Sequence, residues 1–323
     1  MKIDDLTIIV PVHERQWTLA RALPYLADFE GPVIVADSSR TAYADAHKYP
    51  WIDYRHTPGM VYYPKMRSTF ETVQTKFLVD VPDDDFTLLS GLKACCDYMR
   101  AHPDVAGCGG HILRFVTEED VELTLDHTGC HVGTHIVATE TQADSESLPQ
   151  RIDRLFDNVV ALTHAVLRKD AALLPYTLLD QDSELQPVRI FGQLVMFGAA
   201  ALGRIAHLNV VLMLRGLDRL WTTAHFPKQM QKQVTVEQIA ERVPADGGVL
   251  TRYLMTHSGL DQTTATEVAT RFVARLKQGY PQAQFERGRP LTLRLLEKAM
   301  ASQQDDINRA LGLIRGCRGP APA

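Results

Sequence analysis

Hydrophobic positions along the first hundred residues alternate between two periods. Leu6 to Val12 (L-T-I-I-V-P-V) is a near-continuous apolar run, the pattern of a strand covered on both faces. Pro11 stands at its end, where it need not donate to a ladder. Leu19, Ala22, Leu23 and Leu26 then fall at i, i+3, i+4 and i+7, which predicts a helix face. Val33 to Ala36 predicts a short strand, closed by the polar turn Asp37-Ser38-Ser39. A brief helix over 43–49 and a strand over 51–55 follow. Met66, Phe70 and Val73 predict a helix over 64–74, and 76–79 a strand. Leu88, Leu92, Cys95, Cys96 and Met99 mark the most regular helix of the chain, ended by His102-Pro103. Strand and helix in alternation predict parallel strands with helices on both faces.

After Gly107 the texture changes. Residues 111–116, 121–125 and 132–138 read as β segments, and 143–149 as a loop. A helical pattern returns over 151–156 and is followed by an apolar run over 159–167. Residues 188–203 read as helix and 208–214 as strand. From about Thr235 the pattern is helical: Val236, Ile239 and Val243, then Val268, Phe272 and Leu276, then Leu291, Leu295 and Met300, then Ile307, Leu311 and Ile314. The division expected is an α/β domain over 1–228 and a helical C-terminal region over 229–323.

In open α/β sheets ligands bind beyond the carboxyl ends of the strands. Three predicted strands here end in polar clusters. His13, Glu14 and Arg15 follow the first, and Asp37 follows the second. Asp80, Asp83, Asp84 and Asp85 follow the strand at 76–79. Adjacent carboxylates repel one another and resist dehydration, so such a cluster is kept in water or meets a cation. One aspartate could cap the helix that begins near Leu88, but capping needs one acid and not three. Paired carboxylates on a concave edge suit Mg²⁺ or Mn²⁺, which take hard oxygen ligands.

Composition narrows the partners. A formal net charge of -5, with no basic stripe, argues against nucleic acid. The most apolar stretch, Val188 to Leu214, is broken by Arg189, Gln193, Arg204, His207 and Asn209, so its charge-free part falls short of the ~18 residues of a membrane span. The opening M-K-I-D-D-L-T places acids where a secretion signal needs an apolar core, the five cysteines are an odd count, and Cys95 and Cys96, neighbours on a predicted helix, show no metal-site spacing. Reduced thiols and a cytoplasmic location are expected.

The segments L-T-I-I-V-P-V-H-E-R, V-I-V-A-D-S-S, Y-P-K-M-R and T-K-F-L-V-D-V-P-D-D-D-F together resemble family 2-like glycosyltransferases of the GT-A fold, in particular a bacterial subgroup with DSS after the second strand and DDDF as its metal motif. The resemblance covers about residues 5–115, continues more weakly to about Arg215, and leaves the last hundred residues without a counterpart. It implies a Rossmann-like, mostly parallel sheet. It also implies a sugar moved from a nucleoside diphosphate sugar, UDP favoured, to an unknown acceptor, with inversion and with Mn²⁺ or Mg²⁺. On that reading Pro11 and Val12 line the nucleotide pocket and Arg15 lies near the phosphates. Asp37 reads the base, Lys65 lies near base or ribose, and Asp83 and Asp84 face the nucleotide. Asp85, with Asp83 and a histidine, His225, serves the metal. Two departures stand out: Asp80 is an acid inside the strand, and His13-Glu14 replaces the commoner Tyr-Asn.

An inverting transfer needs a carboxylate that takes the acceptor hydroxyl's proton. The family pattern points to L-L-D-Q-D-S-E-L-Q-P, with Asp182 first and Asp180 and Glu184 as alternatives. Asp182 and Glu184 suit a helix N-cap and first turn equally well. The stretch D-H-T-G-C-H-V-G-T-H (126–135) carries zinc-type ligands, but strand alternation splits its histidines between faces, so an acceptor-side hairpin is the better reading. Two other functions stay open. One is a non-catalytic nucleotide-binding or interaction module, with the C-terminal helices available for homo-oligomer formation. The other is a sugar nucleotidyltransferase, against which the glycine-free P-V-H-E-R-Q-W-T-L-A counts.

Overall fold

The computed structural model describes residues 1–116, 131–135, 147–157, 164–177, 191–216, 248–278 and 289–316. The strands are β1 (Leu6–Val12), β2 (Val33–Asp37), β3 (Ile52–His56), β4 (Phe77–Asp80), β5 (Phe86–Thr87), β6 (Val105–Val116), β7 (His131–His135), β8 (Val166–Arg168) and β9 (Arg204–Gly216). The helices of the first part are α1 (Leu19–Leu26), α2 (Tyr62–Thr72), α3 (Leu89–Ala101), α4 (Leu148–Asp157), α5 (Lys169–Thr177) and α6 (Phe191–Leu202). Four more follow: α7 (Val249–Ser258), α8 (Gln262–Gln278), α9 (Arg289–Ser302) and α10 (Gln304–Gly316).

All the strands join one mixed sheet in the order β3-β2-β1-β4-β8-β6-β9-β5, with β7 on β6. The first four in this order are parallel, β8 runs against both its neighbours, and β6 and β9 are parallel to each other. This is the expected α/β architecture with a helical C-terminal section.

Strand alternation divides the core in two. Ile9, Ile34, Ala36 and Leu78 pack on one face with α2, α4, α5 and α6. Ile8, Val10, Val12, Val33, Val35, Phe77 and Val79 pack on the other with α1 and α3. This two-sided burial is why β1 reads as an unbroken apolar run. The C-terminal helices serve both layers. Leu250, Leu254, Val268 and Phe272 of α7 and α8 join the first, and Leu296, Ala299, Ile307 and Ile314 of α9 and α10 join the second. The expected boundary at 228/229 lies outside the described residues.

Two contacts hold the sheet's far edge against the helices. A Cβ on Gly91 would meet the Val211 carbonyl oxygen at 2.5 Å, so only glycine lets α3 lie this close to β9. Gln303, between α9 and α10, completes the ladder at Val211: its Oε1 accepts the Val211 N–H at 2.5 Å and its Nε2 donates to the Val211 carbonyl at 2.9 Å. Among the described residues, no helix is long and apolar enough to cross a membrane.

Candidate functional site

The carboxyl ends of β1, β2 and β4 lie side by side, with Val12 in register with Asp37 and Ile9 with Asp80. The three polar clusters expected there do converge. After Val12 the chain reverses sharply. Glu14 takes φ 55, the left-handed region that a side chain disfavours. Its N–H donates to Ser39 Oγ at 2.8 Å, and its carboxylate accepts the Arg40 N–H at 3.0 Å, which ties the turn to the end of β2. The turn sends Arg15 across to the acid cluster. There it bonds Asp83, and Asp84 Oδ2 at 2.8 Å.

Asp37 is fully buried. One oxygen accepts the Ser39 N–H at 2.8 Å, and the other accepts Gln16 Nε2 at 2.7 Å and Tyr54 OH at 2.6 Å. Burial acts to raise its pKa, but these hydrogen bonds outweigh it and hold the carboxyl below its ordinary value. Asp37 is thus an ionised anchor for the turn after β2. Lys65, buried on α2, donates to the Val12 carbonyl at 2.7 Å and to Ser38 Oγ at 3.0 Å, joining helix to both strand ends. Burial lowers its pKa to about 8, against the pull of Asp37, Asp83 and Asp80. Pro11 and Val12 are the last two residues of β1.

The acid loop is fixed at both ends. The Val81 N–H donates to the Ile9 carbonyl at 2.8 Å, and the Leu88 N–H to the Leu212 carbonyl at 2.8 Å. Asp83 is fully enclosed, with Thr18 Oγ1 donating to its Oδ2 at 3.0 Å. Asp85 is also buried, and its Oδ1 accepts the N–H of Gly216, at the end of β9, at 2.8 Å. It does not cap α3, whose Leu88 N-cap makes no side-chain cap bond. Burial raises Asp83 to about 7, with the Asp84 carboxylate adding to the rise and Arg15, Thr18 and Lys65 opposing it. Burial and Asp84 push Asp85 well above the carboxylate range.

Burial is the larger cause of both rises, and crowding by the Asp84 carboxylate adds an imbalance of charge to it. An all-oxygen donor set with that imbalance fits a hard divalent cation, which would keep Asp83 and Asp85 ionised. Among the described residues, no three acidic, histidine or cysteine side chains already stand in a ligand arrangement. Arg15 engages Asp83 and Asp84 instead.

Asp80 lies one layer deeper. Alternation sends it to the same face as Leu78, where its Oδ2 accepts Tyr62 OH at 3.2 Å and its buried Oδ1 has no partner. Burial raises its pKa to about 7, against the hydrogen bond from Tyr62 and the charge of Lys65. Folded chains therefore keep this proton up to about pH 7, whereas an unfolded Asp releases it near 3.8. Between those values the folded state binds more protons, so stability falls as pH rises through the window. Asp80→Asn keeps an acceptor for Tyr62 and removes the titration. It is expected to be more stable than wild type by on the order of 2 kcal/mol in urea unfolding at pH 8, the gain shrinking toward pH 4. A gain independent of pH would show that Asp80 does not titrate in this window.

Asp180, Asp182, Glu184 and His225 lie outside the described residues, as do Asp126, His127 and Cys130. The site also holds residues that the strand-end argument did not reach. Gln16, Thr18, Tyr54 and Tyr62 fill the acids' hydrogen bonds, and Gly216 comes from β9, over a hundred positions away in the chain.

No family model and no curated protein matches the chain. Solved structures of TarS from S. aureus are similar to it. Residues 1–349 of that protein are 15% identical, over 97% of this chain and 81% of that one, at a TM-score of 0.49. The same segment in complex with UDP-GlcNAc is 13% identical over 96% and 83%, and in complex with UDP 13% identical over 96% and 89%, both at a TM-score of 0.48.

Proposed function

We propose that the chain is a cation-dependent glycosyltransferase that moves a sugar from a nucleoside diphosphate sugar, UDP favoured, to an acceptor hydroxyl with inversion. The observation that carries this reading is the meeting of Arg15, Lys65 and the buried Asp83 and Asp85 at the carboxyl edge of the parallel strands. That edge is where an open α/β sheet takes its ligand. Mn²⁺ or Mg²⁺, held by Asp85 and Asp83, would supply charge neutralisation for the departing diphosphate. The protein's own groups would do the rest. Arg15 is placed to turn from the acids to a phosphate, Lys65 holds the two strand ends that form the pocket wall, and the turn anchored by Asp37 faces the base. A carboxylate from Asp182, Asp180 or Glu184 would take the acceptor's proton. The completeness with which Ser39, Gln16 and Tyr54 fill Asp37 favours a second reading, a nucleotide-binding module without turnover.

A thermal-shift panel tests the proposal, with UDP, GDP, CDP and ADP each presented with Mn²⁺, Mg²⁺ or EDTA. A ligand at 100 times its Kd should stabilise the fold by ~2.7 kcal/mol. One nucleotide, in a cation-dependent manner, is expected to do so. Silence across the whole panel would return the aspartates to a structural role. Nucleotide binding without slow hydrolysis of the matching sugar donor would favour the module.

A further inference from the structure

A small cavity lies beneath the sheet, between β4 and α5. Asp80 of β4 and Tyr176 of α5 line it, and its other walls are apolar side chains of β4, β8, α2, α5 and α6. It leaves about 10 Å³ for a guest, which is room for one water and nothing larger. Asp80 is 8% exposed. Its Oδ2 is taken by the Tyr62 hydroxyl at 3.2 Å. Oδ1, buried and without a partner among the described residues, is the oxygen left for the cavity. A buried carboxyl oxygen in that position is costly to leave unsatisfied. Tyr176 is fully buried and brings its hydroxyl near the same carboxyl: after burial, the Asp80 charge is the largest cause of the rise in its pKa. Its ring is held by Tyr63, with centres 5.9 Å apart, and by Phe70, edge to face at 5.2 Å, which fixes where the hydroxyl lies.

We propose that this cavity binds one water, which bridges Asp80 Oδ1 and the Tyr176 hydroxyl. A wholly apolar void stays dry, whereas a void with about two to four polar partners holds a water. Asp80 and Tyr176 are two such partners, on opposite walls of a space of the right size. Water suits either state of the acid, since it donates to a carboxylate and accepts from a protonated carboxyl. The site therefore does not depend on how Asp80 titrates. The bridge accounts for an acid inside a strand where the hydrophobic pattern calls for an apolar residue. It also ties the end of β4, from which the acid loop departs, to α5. None of these contacts involves Arg15, Asp83 or Asp85, so the bridge is independent of the transferase reading.

The test is a crystal structure of the full chain at a resolution that shows ordered waters. One water is expected within about 3 Å of both Asp80 Oδ1 and the Tyr176 hydroxyl. Asp80→Asn keeps a polar atom on the cavity and should keep the water. Asp80→Leu fills the site with apolar atoms and should lose it. Tyr176→Phe keeps the ring, removes the hydroxyl and should lose it too. Oxygen-17 relaxation dispersion of water gives the same answer in solution: it should count one slowly exchanging internal water fewer in Asp80→Leu and Tyr176→Phe than in wild type or Asp80→Asn. Far-UV circular dichroism checks folding. Should Asp80→Leu fail to fold, Tyr176→Phe decides. A dry cavity in wild type, a direct Tyr176–Asp80 hydrogen bond that closes it, or a water that persists in Tyr176→Phe overturns the proposal.

Discussion

Asp85→Asn is expected to lose the cation-dependent part of nucleoside diphosphate binding while keeping the fold. The amide oxygen of Asn can still accept the Gly216 N–H that Asp85 Oδ1 accepts at 2.8 Å, so the link between the acid loop and β9 survives. Only the ability to ionise goes. Wild-type Asp85 is buried beside Asp84 and Asp83, and burial and the Asp84 charge hold its proton well above the carboxylate range. In the folded protein alone Asp85 already keeps its proton, so neutral Asn costs little. With cation and nucleotide present the balance reverses, because the wild type gains a partner that Asn does not attract. The ~2.7 kcal/mol of stabilisation expected at 100 times Kd should fall to the level seen in EDTA. Arg15→Gln gives the complementary result. Freeing Asp83 and Asp84 from the guanidinium should strengthen binding of Mn²⁺ alone, and removing the same charge should weaken binding of the diphosphate. Calorimetric titration of both variants with Mn²⁺, then with the stabilising nucleotide, reads these opposite signs. A cation-dependent shift that persists in full in Asp85→Asn would remove Asp85 from the ion's coordination.

Much of this arrangement was legible before any coordinates. β1 was expected over 6–12 and is found at Leu6–Val12, and the helix expected over 64–74 is α2, Tyr62–Thr72. These elements read clearly because burial on both sheet faces writes long apolar runs and burial of one helix face writes a 3.6 period. Their order then placed three polar strand ends on one edge, which is where the structure has them. The partners at that edge were not legible. Gln16 and Tyr54 reach Asp37 through side-chain directions that no periodicity records. Arg15 was expected near phosphates and is found on Asp83 and Asp84, the carboxylates that the turn after β1 brings within its reach. The two-residue strand β5 hid inside the acid loop, since Phe86 and Thr87 alone make no pattern. Helix α7 lies inside the expected helical region, but its own stripe, Leu250, Tyr253 and Leu254 at i, i+3 and i+4, was too short to stand out.

Asp306→Ala is expected to destabilise the fold strongly from outside the sheet, because α10 supplies what α3 lacks. α3 begins after Leu88, an N-cap with no side-chain oxygen to offer, directly beyond the acid loop. Asp306 fills the gap from across the chain. Its Oδ2 accepts the Ser90 N–H at 2.9 Å and the Ser90 hydroxyl at 2.6 Å. Its Oδ1 accepts the hydroxyl of fully buried Tyr25 at 2.6 Å, and that hydroxyl in turn accepts the Leu89 N–H at 3.1 Å. One carboxylate thus joins α1, α3 and α10. Truncation strands a buried hydroxyl, at about 1–3 kcal/mol, and removes a helix cap, at about 1 kcal/mol. The groups share one network, so the losses do not simply add. A net loss of about 3 kcal/mol in urea unfolding is expected, with Asp306→Asn milder because its amide oxygen can still serve Tyr25. The position of the cap carries the effect toward the site. Residues 81–88 run from the end of β4 to the start of α3, so loosening α3 at Ser90 loosens the segment that holds Asp83 and Asp85. Asp306→Ala should therefore also weaken nucleoside diphosphate binding at a temperature where the variant is fully folded. Binding unchanged beside lost stability would confine α10 to supporting the fold.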